Sequence, residues 1–306
     1  MTSGWRRSSS GAVAVAVALG PDGVLSVLAA AVVIALVTSV DALVVPPATV
    51  APYAVVGGLL LALAAVLERS RKVVRVWLPF VVLYLCYRAL RGVLLLLPAD
   101  AGRHDALRAA DEALLGVSPA WWFEGLARPW LTEVMAVAYA LMFVLPLVVL
   151  LGLTARGQER ALREAALALL LAFYLGFVGF LLVPARSPDV VYAFATPLTG
   201  HGFYEASMAA WARLQQITFD AFPSMHTAIS TIALVHARRH GAVLAPGHPR
   251  LVLALFVPAV ATLQVATLYL RQHYFVDLVA AWALAALALT LAARLCRRWD
   301  RWAGGA

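Results

Sequence analysis

Apolar residues run along this chain in long blocks separated by short polar breaks. About eight blocks approach or reach the roughly 20 residues that a helix needs to cross a bilayer. They lie near 24–45, 50–67, 74–97, 131–153, 163–184, 224–237, 251–270 and 273–293. The second is short and contains Gly57 and Gly58. The sixth is also short, so it is expected to be buried among other helices rather than to face lipid. Two connections are long. The first, 98–130, mixes charge with Trp121, Trp122 and Phe123. Aromatic residues beside polar ones suit a membrane–water boundary, so short helices are expected there, lying flat. The second, 185–223, is rich in proline at its start and predicts a helical stretch near 204–220. Neither an internal repeat nor a soluble domain is visible. The pattern predicts an all-α, polytopic integral membrane helical bundle of about eight transmembrane helices with interfacial helices.

Composition sharpens that picture. Of the 306 residues, 63% are hydrophobic and only 13% charged, against roughly 25% charged in a soluble domain. Mean hydropathy is +0.86, which places most of the chain in lipid. Cys86 and Cys296 both fall in or beside apolar blocks and make no disulfide framework. The net charge of +8 is the mark of cytoplasmic loops, not of nucleic-acid binding. The first twenty residues carry Arg6 and Arg7 before a short apolar run broken at Gly20 and Pro21. They are read as a cytoplasmic tail leading into the first span, with a cleaved or twin-arginine signal as the alternative.

Alternating the blocks across a membrane divides the charge unequally. Sixteen of the 24 basic residues fall on the face that holds both termini and the loops at 68–73, 154–162 and 238–250. Six fall on the other face, and Arg88 and Arg91 lie inside the third block. The bias predicts that the termini are cytoplasmic and the second face extracytoplasmic. Three short polar segments come to that second face, each at a helix end: 183–189 (VPARSPD), 222–226 (FPSMH) and 270–277 (LRQHYFVD).

These residue types suit phosphorus chemistry. His273 and Asp277 are four apart and share a helix face. The carboxylate can fix one imidazole tautomer and leave the other nitrogen free to attack. Pro223 and Ser224 open the helix that carries His226, where exposed N–H groups favour an anion. Ser224 suits an N-cap or a phosphate contact. His226 can pass a proton to a leaving oxygen and withdraw one from an acceptor. Arg186 offers a planar cation to phosphate oxygens. Arg271, Arg88 and Arg91 are further cations within reach of the same face. His236, His240 and His248 fall on the cytoplasmic side and are read as non-catalytic.

The segments P-S-M-H at 223–226 and H-Y-F-V-D at 273–277 resemble the type 2 phosphatidic acid phosphatase superfamily, whose motifs are K-x6-R-P, P-S-G-H and S-R-x5-H-x3-D. The wider context, including 111–146, is similar to the inositol phosphorylceramide synthase branch in its bacterial members. The resemblance implies a six-helix phosphatase-like catalytic core. It also implies that His273 is the nucleophile forming a phosphohistidine, Asp277 its orienting carboxylate, and His226 the general acid and base. Arg186 is the nearest match to the first-motif arginine. Ser187 separates Arg186 from Pro188, and the sequence departs from the pattern elsewhere too. The first-motif lysine falls at Gly179, the third-motif arginine at Thr267, and Met225 replaces the second-motif glycine. Arg271, one turn after Thr267, is a possible substitute.

The expected activity is transfer of a phosphoryl or phospho-headgroup from a phospholipid donor to a lipid alcohol, with a lipid phosphatase using water as the alternative acceptor. A transporter or scaffold is the non-enzymatic alternative. Its polar residues would follow a midplane path, whereas here they cluster at one edge. No metal, cofactor or nucleic acid is expected; the partners are membrane lipids. The chain divides into a tail with three spans (1–97), an extracytoplasmic interfacial segment (98–130), a catalytic core (131–294) and a basic cytoplasmic tail (295–306). The expected location is a bacterial plasma membrane.

Overall fold

The computed structural model describes residues 20–32, 72–94, 96–98, 100–215 and 218–303. The tail at 1–19, the block at 50–67 and most of the block at 24–45 lie outside the described residues. Twelve helices are described. The first part holds α1 (Gly20–Val32) and α2 (Lys72–Leu94), then the short α3 (His104–Leu115) and α4 (Pro119–Glu124). Two long helices follow, α5 (Pro129–Ala155) and α6 (Glu159–Leu182). After them come α7 (Pro188–Val191), α8 (Phe203–Gln215), α9 (Met225–Arg239) and α10 (Gly241–Leu244). The chain ends with α11 (Pro249–Tyr269) and α12 (Phe275–Ala303). The fold is all-α, as the hydropathy pattern predicts. Among the described residues α5, α6, α11 and α12 are long and apolar enough to cross a membrane.

The short helix α9 is the hub. Its 15 residues rise about 22 Å at 1.5 Å each, less than the roughly 30 Å hydrocarbon core. It packs against α5, α6, α11 and α12 at once, and Ala228, Ile229, Ile232 and Ala233 are all buried. The expectation that this segment lies among other helices is met. α6 packs on α12 and α2, and α5 on α11, so α2, α5, α6, α9, α11 and α12 form the six-helix core.

Small residues set the spacing of this core. On α12, Ala281, Ala285, Ala288 and Ala292 repeat at steps of four, three and four and are fully buried. α6 answers with Ala165, Ala166, Ala168 and Ala172, likewise buried. In lipid there is little hydrophobic gain from helix association, so close backbone approach and dispersion hold such helices together. Two α6 glycines have a more local role. A Cβ at Gly176 would run into the Met225 side chain, and one at Gly179 into Pro223. The bare surface of α6 is therefore what lets the start of α9 lie against it.

The two poles of the bundle are tied differently. At one, exposed or half-buried ion pairs join Arg160 and Arg163 of α6 to Asp300 of α12, and Arg239 of α9 to Glu164 of α6. His236, His240 and His248 lie toward this pole. At the other, backbone bonds join loops. The Ala221 amide donates to the Ala185 carbonyl at 3.0 Å, and the Asp189 amide to the Arg271 carbonyl at 3.0 Å. The Ser224 amide donates to the Asp277 carbonyl at 3.3 Å.

Candidate active site

Those three backbone bonds bring the three polar segments together: the end of α6, the start of α9 and the start of α12. His273 sits in the loop between α11 and α12 and is buried. Its Nδ1 lies 2.9 Å from the Ala221 carbonyl and 3.3 Å from Asp277 Oδ2. A carbonyl can only accept, so Nδ1 carries the hydrogen and donates it. Nε2 is left with its lone pair and has no protein partner among the described residues. The sequence pointed to the carboxylate as the orienting group; the nearer acceptor is a main-chain oxygen.

Asp277 is fully buried. Its Oδ2 also accepts the Tyr274 amide at 2.9 Å, while Oδ1 has no partner among the described residues. The His273 amide donates to the Thr267 carbonyl at 3.1 Å, which fixes the loop from the α11 side. Thr267 itself is buried and turns its hydroxyl onto the Gln264 carbonyl at 2.7 Å.

His226 lies on the first turn of α9, 7% exposed. Its ring centre is 5.7 Å from that of His273, at 60°. Tyr139 of α5 stacks on its face at 3.9 Å, and Trp211 of α8 packs edge-on at 5.5 Å. The buried Nε2 has no partner among the described residues. Ser224 is the N-cap of α9, its Oγ accepting the Thr227 amide at 3.3 Å.

The four candidate cations are placed differently from the histidines. Arg186 holds its guanidinium 4.5 Å above the Phe219 ring, and its carbonyl accepts the Tyr274 hydroxyl at 3.2 Å. Arg271 has a left-handed backbone, φ 61°, an unusual state for a residue with a Cβ. Its guanidinium lies 3.8 Å over Phe194 and donates to the Thr196 carbonyl at 2.7 Å. Burial lowers the Arg271 pKa from its usual value. Arg88 and Arg91 are half-buried on the last two turns of α2.

A cavity of about 460 Å³ opens beneath the two histidines. At its polar end stand His226, His273, Ser187, Asp220 and Gln272. Its walls are apolar and come from α2, α5, α6 and α9, among them Phe80, Phe143, Leu150, Phe173 and Phe177. Among the described residues no arginine or lysine lines it. The Tyr87 hydroxyl donates to Asp220 Oδ2 at 3.3 Å across the mouth, and Gln272 Nε2 donates to Asp189 Oδ2 at 2.7 Å. Burial pushes the Asp189 carboxyl up, against the hydrogen bonds from Ser187 and Gln272 that pull it down.

Several contributors carry no sequence motif. The Ala221 carbonyl, Tyr139 and Trp211 are single residues in apolar stretches. Asp111 of α3 is fully buried and accepts the Phe275 and Val276 amides, both at 2.9 Å. It does share the buried face of α3 with Leu107, four residues earlier, and a carboxylate on the apolar side of an amphipathic helix is a legible anomaly.

The arrangement can hold a tetrahedral phosphoryl group between two imidazoles. A near-attack phosphorus about 3–3.5 Å from one nitrogen, and a leaving oxygen about 2.6–3.2 Å from the other, fit between rings this close. Residues 105–291 match the family model of the PAP2 superfamily, whereas no curated protein and no solved structure matches the chain. The match takes in α3 through most of α12, with both histidines, Asp277 and the three polar segments; α2, which supplies part of the cavity wall, precedes it. The chain therefore belongs to the PAP2 superfamily, as an integral membrane protein and a lipid enzyme of the general phosphatase/phosphotransferase type.

Proposed function

We propose that the protein transfers a phosphoryl or phospho-headgroup from a phospholipid donor to a lipid alcohol through a phosphohistidine, in the manner of inositol phosphorylceramide synthase. The observation that carries this reading is the pair of histidines standing at the polar end of an apolar cavity. A lipid can place its phosphate between the rings while an acyl chain lies along the aromatic walls.

In the first step His273 Nε2 forms a bond to phosphorus as the bond to the leaving alkoxide breaks. Protonated His226 gives its proton to that oxygen. In the second, His226 takes the proton of an acceptor hydroxyl, the new P–O bond forms and the P–N bond breaks, which restores both rings. Asp277 and the Ala221 carbonyl hold the tautomer that leaves Nε2 nucleophilic. Positive potential comes from Arg186 and from the start of α9, where the Met225 and His226 amides have no acceptor among the described residues. Arg271, Arg88 and Arg91 add to it from further out. The Ser224 hydroxyl can donate to a phosphate oxygen while its oxygen caps α9.

Ser187, Asp220 and Gln272 at the mouth suit recognition of an acceptor hydroxyl, which favours an alcohol over water. The charge bias of the loops supports an extracytoplasmic site with both termini cytoplasmic. The test uses purified protein in vesicles of phosphatidylinositol, with and without ceramide or diacylglycerol, and mass spectrometry of the products. A phosphorylated acceptor lipid that disappears in His273→Ala is expected. Free phosphate or inositol phosphate alone would make the protein a hydrolase. No product difference between wild type and His273→Ala would remove the reading.

A further inference from the structure

We propose that Asp111, held by Ser118, is a positioning residue that fixes the imidazole of His273 by clamping the first turn of α12; this inference rests on the reading of His273 given above. Asp111 belongs to α3, a helix outside the six-helix core, and lies 166 positions before Asp277 in sequence. A carboxylate with no exposed surface is costly unless its oxygens are satisfied. Here they are matched to one target. Oδ2 accepts the Phe275 amide and Oδ1 the Val276 amide, each at 2.9 Å, and the Ser118 hydroxyl donates to Oδ2 at 3.2 Å.

The two amides are consecutive, and they are the first of α12. Two parallel bonds from one rigid carboxylate fix rotation as well as distance, as a single cap would not. The negative charge also stands at a helix N-terminus, where the dipole favours it. His273 precedes this turn by two residues. With its amide held by Thr267 on one side and α12 held by Asp111 on the other, the loop 273–276 is anchored at both ends. The contact at 3.3 Å between His273 Nδ1 and Asp277 Oδ2 depends on that turn, because Asp277 lies within it. Loosening the clamp frees the ring to rotate and to exchange tautomers. The apolar walls of the cavity come from α2, α5, α6 and α9 and not from this loop, so substrate binding should be spared.

The experiment compares wild type, Asp111→Asn, Asp111→Ala, Ser118→Ala and His273→Ala as full chains in detergent micelles. Two readouts are taken: phosphate release from dioctanoyl phosphatidic acid, and the ¹⁵N resonances of labelled histidine. Asp111→Asn keeps one acceptor oxygen and should lower kcat about tenfold, with KM within about twofold, because small misplacements of a reacting group are expensive. Asp111→Ala should lower it further and Ser118→Ala less. The His273 signals should change from a single Nδ1–H tautomer to an average of two in Asp111→Asn. An Asp111→Asn protein with wild-type kcat, with an effect on KM alone, or with the wild-type tautomer signal would overturn the proposal. Equal turnover in wild type and His273→Ala would instead count against the phosphohistidine reading, and absent phosphate release in wild type would mean that water is not the acceptor; in either case the resonances alone would decide the role of Asp111.

Discussion

Two helix starts adjoin the two histidines, and they are finished in opposite ways. At α12 every early amide is taken: Tyr274 by Asp277, Phe275 and Val276 by Asp111. Two buried carboxylates crowd that start, so it repels an anion and serves as a rigid mount for His273. At α9 one hydroxyl, Ser224, caps one amide, and among the described residues no carboxylate caps the turn and the Met225 and His226 amides have no acceptor. That start attracts an anion. On the proposed mechanism the difference divides the work: α12 would hold the attacking ring still, and α9 would receive the phosphate and handle protons. A site with two open starts would bind phosphate without orienting the nucleophile; one with two closed starts would orient it with nothing to bind.

The largest effect is expected at the mount. His273→Ala should reduce turnover at least about a thousandfold, with the fold intact by circular dichroism, because it removes the group proposed to form the covalent bond. On the receiving side His226→Ala should cost about a hundredfold or more, the usual scale for general acid–base catalysis. It should slow release of the phosphoryl group as well as its capture, as single-turnover kinetics would show. Equal, small losses in both variants would dissolve the distinction between the two starts.

The bare surface of α6 gives an intermediate test. Gly179 stands where the family pattern has a lysine, and the structure gives a physical reason for the change: Pro223, which opens α9, packs where a Cβ would be. Gly179→Lys should therefore not restore a phosphate clamp. It should displace the start of α9, lower thermal stability by about 1–3 kcal/mol, as overpacking does, and reduce turnover. A stable, more active variant would show that the α9 start is not what the site relies on. The smallest effect belongs at the far pole. Arg239→Ala breaks an exposed pair with Glu164 and should change stability by less than about 1 kcal/mol and leave turnover unchanged.

Much of this was legible in the sequence, for identifiable reasons. Long apolar blocks report the thickness of lipid, so α5, α6 and α11 fall where hydropathy put them. The same signal misjudges ends, because it marks lipid and not helix. α12 continues to Ala303, ten residues past its predicted limit, through the polar run that carries Arg297, Arg298 and Asp300. The pair His273 and Asp277 could be read because helical spacing links positions four apart. Asp111 and the Ala221 carbonyl could not, since each acts across a tertiary contact, and a main-chain oxygen leaves no trace in residue type. Arg271 stood out as a cation, but side-chain direction depends on backbone angles. Its left-handed φ accompanies a guanidinium stacked on Phe194, outside the cavity wall.

The most direct measurement is to trap the covalent state. Purified protein is mixed with a phosphate-labelled phosphatidic acid and quenched in alkali, where a phosphorylated imidazole survives, and the peptides are mapped by mass spectrometry. The account predicts label on the peptide containing His273, more of it in His226→Ala, and none in His273→Ala. Label on another residue, or full turnover by a protein that never carries label, would contradict it.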